Sequence, residues 1–296
     1  MSTAIDLSTI PAPDIIEELS FETIRNEMLA DLQARDPLFN AIVASDPIYK
    51  EIETHAYREL LVRQRINDAI KGNLLSEATG TDLHALVSYY NVTPLVITPE
   101  DLTAIPPIAA VYESDDDLRQ RALLAYESFS VAGSVGAYQF HAKSADGKVK
   151  DVYVKTPSPG SLTISILSTV GDGTADAALV SIVDAALSSD DVRPLTDNVT
   201  VQSASIINYS VTAQIFVYSG PSLATVLAAA QVSAQAYIDS MEKIGRDITL
   251  TGLTASMHVS GVQRVEMSLP AADIAITDEQ AAYCTALTIT VGGVAE

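Results

Sequence analysis

The side chains able to do chemistry are few and scattered. Four histidines, His55, His84, His141 and His258, stand singly on predicted helices, and neither a His-Glu-x-x-His helix nor a phosphate-cradling glycine loop ending in Lys-Ser or Lys-Thr occurs. Asp115–Asp117 and the pair Asp190-Asp191 have the proximity that acid–base hydrolysis needs. Both groups, however, lie at predicted helix ends, where capping and the helix dipole account for acidic residues without any reaction. Gly171-Asp172-Gly173 resembles the start of a calcium loop but lacks the ladder of oxygen ligands that should follow, so it reads as a turn. Cys284 has no basic or histidine neighbour to lower its pKa, and as the single cysteine it excludes an intramolecular disulfide and an all-cysteine metal site. These residues indicate no catalytic site, no metal and no cofactor.

The bulk properties point the same way. The chain has 296 residues, 48% of them hydrophobic, enough for two or three small domains with cores of their own. Mean hydropathy is +0.21. A formal charge of −21 would repel a phosphate backbone, which argues against a nucleic-acid-binding face. No apolar run of about 18 residues and no basic-then-apolar leader is present, so neither a membrane span nor a signal peptide is expected.

The elements that would carry the chain's function are therefore surfaces. After an extended start (residues 1–20), Phe21, Ile24, Met28, Leu29 and Leu32 mark a short amphipathic helix. Asp46-Pro47 then opens a helix with no breaker before Gly72, and Ile48, Ile52, Ala56, Leu60, Ile66 and Ile70 form an apolar stripe along it. Arg58, Arg63, Arg65 and Lys71 make this the cationic helix of an acidic chain, readable either as a solvated face or as one complementary to an acidic partner. We take Ile48, Ile52, Leu60, Arg63, Ile66 and Ile70 as the candidate partner interface. A helix from Asp82 to Tyr90, with Thr81 as cap, precedes four prolines (Pro94, Pro99, Pro106, Pro107) that mark a connector.

Beyond the connector, Ser114 caps a helix, Gly133 and Gly136 stop it, and Ser134 caps the next; the two glycines form a candidate hinge. The period then shifts toward two. Strands are expected at 149–154, 162–166, 199–201 and 207–217, and helices at Thr174–Leu187, with Ile182 facing inward, and Ser222–Met241. A short echo, Gly147 before Val149-x-x-Val152 and Gly261 before Val262-x-x-Val265, suggests two related units without long crossovers. The expected fold is α+β: an N-terminal helical module (1–93), a proline-rich connector (94–112), and two small α+β units (113–204 and 205–296).

Six segments in order, Pro11–Leu32, Ala78–Leu95, Glu113–Ala142, Arg193–Ala204, Ser222–Met241 and Gly245–Ile276, resemble the baseplate protein J family of contractile-tailed bacteriophages, although Thr93-Pro94 stands where relatives often carry an arginine. The resemblance implies a non-enzymatic structural subunit of the virion's tail baseplate, made in the host cytoplasm. It would be oligomeric there, a wedge component that assembles around the hub and rearranges when the sheath contracts. Implied partners are other baseplate wedge proteins, neighbouring copies of the chain, and the tail sheath or hub. A tail-associated cell-wall or polysaccharide hydrolase is the alternative.

Overall fold

The computed structural model describes residues 7, 10, 11, 13–130, 132–220 and 222–295. It divides into two compact units, residues 4–93 and 94–296. Part of the expected extended start lies outside the described residues.

The first unit is helical. α1 (Phe21–Arg35) is capped by Ser20, whose Oγ accepts the Thr23 N–H at 3.3 Å. α2 (Pro47–Lys71) begins with proline at its first position, as expected. Asp46 does not cap it through its side chain; Oδ2 instead takes the Val43 N–H at 2.9 Å and holds the preceding turn. α1 packs along α2, burying Ile24 and Ala56, and the Arg25 guanidinium lies 5.8 Å from the Phe21 ring and 5.7 Å from that of Tyr49. Asn67, buried on α2, clamps the backbone of Glu17: its Oδ1 accepts the Glu17 N–H at 3.2 Å and its Nδ2 donates to the Glu17 carbonyl at 2.9 Å. α3 runs from Gly80 to Ser88, with Thr79 at its N-cap in place of the expected Thr81, and buries Leu83 and Val87.

The second unit starts with a feature absent from the sequence reading. The proline-rich connector is an ordered hairpin whose strands β1 (Val96–Thr98) and β2 (Val111–Tyr112) pair antiparallel. α4 (Asp115–Leu124) follows, capped by Ser114, whose Oγ accepts the Asp117 N–H at 3.1 Å. A 3-10 turn over Ala125–Phe129 leads to α5 (Val135–Ala145), where the Ser134 Oγ accepts the Ala137 N–H at 3.2 Å. α4 therefore ends well before Gly133, and Gly136 lies inside α5. The two glycines do not stop a helix.

β3 (Val149–Ser158), β4 (Ser161–Ser168), α6 (Ala177–Leu187) and β5 (Asn198–Ser203) make the first sheet, in the order β3-β4-β5. α6 starts later than expected because Asp176 caps it, its Oδ1 accepting the Leu179 N–H at 2.7 Å. Ile182 faces outward at 44% exposure, while Leu179, Val183 and Leu187 are buried against β3 and β4. β6 (Ser205–Tyr218), α7 (Leu223–Met241), α8 (Leu250–Met257), β7 (Val262–Leu269) and β8 (Gln280–Ala295) make the second, in the order β7-β6-β8. Strict alternation buries Tyr209, Val211, Ala213, Ile215 and Val217 of β6 under Val226, Ala230, Ala234 and Ile238 of α7.

Each sheet has a central strand with an antiparallel neighbour on one side and a parallel one on the other: β4 between β3 and β5, β6 between β7 and β8. The echoing segments fall on the two antiparallel strands, β3 and β7. Their glycines serve different ends: Gly261 has φ +95, whereas a side chain on Gly147 would come within 3.1 Å of the Val96 carbonyl oxygen. The expectation of no long crossover is overturned, because both parallel pairings require one, through α6 in the first sheet and through α7, α8 and β7 in the second.

A buried ion pair organises the start of this unit. Glu113 and Arg121 each have side chains 5% exposed. The Arg121 Nε donates to Glu113 Oε2 at 3.0 Å and Nη2 donates to Oε1. Glu113 Oε1 also accepts the Leu95 N–H at 2.7 Å, and Arg121 Nη1 donates to Ser144 Oγ on α5 at 3.3 Å. Removing one partner strands the other charge in the interior, so Glu113→Ala should cost about 3–5 kcal/mol in urea unfolding of the full chain. The pair Glu113→Leu/Arg121→Met should cost clearly less; equal losses would show that the charge pairing is not what matters there.

Candidate functional site

The residues able to do chemistry are not brought together. Among the described residues no group of three histidine, cysteine or acidic side chains is placed to hold a metal ion. His55 is exposed on α2 and His84 half-buried on α3. His258 follows α8, with its Nε2 3.3 Å from the Gln263 carbonyl oxygen. His141 sits on α5, where burial holds its imidazole below the ordinary value of 6.5. Asp116 pairs with Arg119, and the Asp117 carboxylate accepts the Ser114 hydroxyl at 2.7 Å. Asp172 Oδ1 takes the Thr174 N–H at 3.0 Å, which fixes a turn. Burial pushes the Cys284 thiol up, away from the thiolate a nucleophile requires. No described helix is long and apolar enough to cross a membrane.

What remains is surface, and α2 carries part of it. The expected stripe is split: Ile48, Ile52, Leu60 and Ile70 are half-buried, and Ile66 is 54% exposed. The shared inner face, centred on Ala56 and Asn67, packs toward α1 and the Glu17 backbone. Arg63, expected to face a partner, is engaged within the chain, with Nη1 3.2 Å from Glu17 and Nη2 2.5 Å from Glu59. The sequence reading missed that engagement because Glu17 lies far away along the chain.

The outer face carries four large apolar side chains: Tyr57 at 52% exposure, Leu61 at 43%, Val62 at 60% and Ile66 at 54%. Arg58 and Arg65 lie between them, and among the described residues neither forms an ion pair within the chain. A patch of this kind, apolar with two unneutralised guanidinium groups, suits an amphipathic partner with carboxylates at its rim. Helical spacing carried the signal: Tyr57 and Leu61 are an i, i+4 pair outside the expected stripe, and Val62 stands four residues before Ile66 of that stripe.

Gly133 and Gly136 sit at a close approach of three segments. Gly133 has φ +74, and a side chain there would come within 2.7 Å of Asp197 Oδ2 and 3.0 Å of Pro194. That same Asp197 Oδ2 accepts the Tyr138 hydroxyl at 2.9 Å. A side chain on Gly136 would meet the Glu127 Cγ at 2.7 Å. The positive φ thus demands glycine at 133, whereas at 136 the only close contact is with the flexible Glu127 side chain.

Comparison with known proteins gives a consistent result along the chain. Residues 44–101 match the model of the Baseplate J-like N-terminal domain, 130–203 the Baseplate J-like central domain, and 209–290 the Baseplate J-like protein C-terminal domain. Baseplate protein J of Escherichia phage P2 is 46% identical over 296 residues, with 98% of each chain covered. A chain of the 6-fold symmetrised cryo-EM structure of the anti-feeding prophage baseplate aligns at 17% identity and a TM-score of 0.39. That alignment covers 65% of this chain and 49% of the other, so this chain spans about half its length.

Gly133→Ala should destabilise the fold by about 1–2 kcal/mol from its backbone alone, and more than Gly136→Ala, by thermal unfolding of both variants. His141 gives a pH test. Its lowered value means that the unfolded chain takes up the proton first as pH falls. Its contribution is therefore full above 6.5 and is lost as pH drops through the lowered folded value. His141→Gln should flatten that part of the stability–pH curve, read as the difference from the natural chain.

Proposed function

The chain belongs to the baseplate J family, and from that premise we propose that it is a wedge subunit that joins other wedge proteins in a ring around the tail hub and moves when the sheath contracts. Membership makes it a structural component of a phage tail baseplate, part of the virion and not an enzyme, which sets the hydrolase alternative aside.

The observation that carries the wedge reading is the outer face of α2. Tyr57, Leu61, Val62 and Ile66 stand in water on a helix already stabilised on its inner side by α1, so their exposure serves no purpose within the unit. Arg58 and Arg65 complete a face suited to a helix with acidic flanks. Residues 1–93 are, on this reading, the wedge-bundle module, 94–112 its connector, and 113–204 and 205–296 the units that meet neighbouring copies. Rearrangement needs a joint, which we place at Gly133 and Gly136. The support is local: small displacements there are felt at once by Asp197, Pro194 and Glu127, because no side chain intervenes.

The interface residues differ in what they test. Leu60 is half-buried, so its loss also weakens the packing of α2, whereas Ile66 is 54% exposed and can be changed without unfolding the unit. Ile66→Asp should abolish copurification of the chain with its neighbouring wedge proteins while leaving its circular dichroism and melting unchanged. Natural levels of copurification would sink the bundle reading.

A further inference from the structure

The chain passes from one sheet to the other within a single residue. β5 ends at Ser203 and β6 begins at Ser205, leaving Ala204 between them. The Ala204 N–H donates to the Ile166 carbonyl of β4 at 2.8 Å, and the Ser205 N–H donates to the Glu279 carbonyl, just before β8, at 3.0 Å. Two consecutive backbone donors therefore belong to two different sheets, and the peptide between them is the crossing point. Each sheet has its own core against its own helices. The apolar contact between them is small: Leu167, Ala204 and Ala281, with Ile206 and Ile244 beside them.

The polar links across the seam are ordered by charge. Val152 and Val154 of β3 face the core of the first sheet, so Asp151, Tyr153 and Lys155 leave the opposite face. All three reach the connections of the second sheet. Asp151 Oδ2 accepts the Ile244 N–H at 3.0 Å, the Tyr153 hydroxyl donates to the Asp278 carboxylate, and Lys155 Nζ lies 2.7 Å from Glu279. Lys150 adds Glu242 at 2.6 Å. In both ion pairs the cation stands on the first sheet and the carboxylate on the second. Residues 94–204 and 205–296 are each acidic overall, so without these lysines the two halves would repel.

We propose that the two sheets are an articulated pair, hinged on the 204–205 peptide and held shut by Lys150 and Lys155 of β3 as an electrostatic latch. The paired side chains are between 20% and 47% exposed, so water takes over each charge when the seam opens. A pair as buried as Glu113 and Arg121 could not be released in this way. Opening breaks no strand pairing and exposes neither core, and small domain contacts of this kind are the ones that move. This articulation is separate from the joint placed at Gly133 and Gly136, and it belongs to the free chain whether or not the wedge reading holds.

The test uses the full chain as a Cys284→Ser form carrying Ala185→Cys on α6 and Ala236→Cys on α7, both exposed positions, labelled for single-molecule energy transfer. With the latch intact one distance is expected. Lys150→Gln/Lys155→Gln should add a longer distance, more populated by about tenfold, the weight of two half-exposed pairs, with circular dichroism unchanged. That population should be largest at about 0.01 M salt and shrink at about 1 M, where screening removes the repulsion between the halves. A lost packing contact would show no such recovery. Lys150→Glu/Lys155→Glu should open the seam further, and adding Glu242→Lys/Glu279→Lys should close it again. A single unchanged distance in the glutamine form, an opening that salt does not reverse, or failure of the charge-swapped form to close overturns the latch. So does loss of circular dichroism in the glutamine form, which would make the pairs part of the fold itself.

Discussion

The Glu113–Arg121 pair is the constraint on which the second unit is built. Two ions withdrawn from water cost several kcal/mol each, and only a geometry that satisfies nearly every lone pair and proton offsets that. Here the geometry does so by recruiting three segments at once. Glu113 takes the guanidinium fork and the Leu95 N–H, which anchors the base of the β1–β2 hairpin; Arg121 reaches across to Ser144 and so fixes α5 beside α4. Hairpin, α4 and α5 are thereby held in one arrangement, because any slippage would leave a charge unpaired in the interior. The exposed tip of the hairpin owes its fixed position to this buried anchor.

A second set of polar contacts joins the two sheets. Lys150 on β3 lies 2.6 Å from Glu242 after α7, and Lys155 lies 2.7 Å from Glu279 before β8. Asp151 accepts the Ile244 N–H at 3.0 Å. Between them Leu167, Ala204 and Ala281 form a small apolar patch. A seam with a narrow apolar centre and half-exposed ion pairs resembles an interface between domains more than a shared core. Its ion pairs are partly in water and individually weak, so the seam depends on their number and on the patch they surround.

The local signals in the sequence read well and the non-local ones did not. Ser114 and Ser134 announced their helices because a cap is a bond across three residues. β6 announced itself by strict alternation. The hairpin did not, since prolines hide strands as short as Val111–Tyr112, and the last strand, Gln280–Ala295, drew no assignment at all. Nor could spacing reveal that Arg63 is engaged by Glu17, or that Glu113, standing just before a helix cap, is the buried partner of Arg121. The apolar stripe of α2 was legible as a stripe. Which part of it faces α1 and which part faces outward is decided by the register of packing, and the outer residues Tyr57, Leu61 and Val62, which the stripe did not include, show the limit of reading one face at a time.

All 14 residues of β6 pair with β8, with register shifts after Tyr209 and after Ile215, and the two strands run parallel. A parallel pair has its chain ends at opposite extremities along the exit directions that matter: a pull on the start of β6 and on the finish of β8 runs along the ladder. Its hydrogen bonds are then loaded together in shear and must yield as a group, where a hairpin pulled from its open end would unzip bond by bond. Strand β8 is therefore placed to resist a pull along its own length.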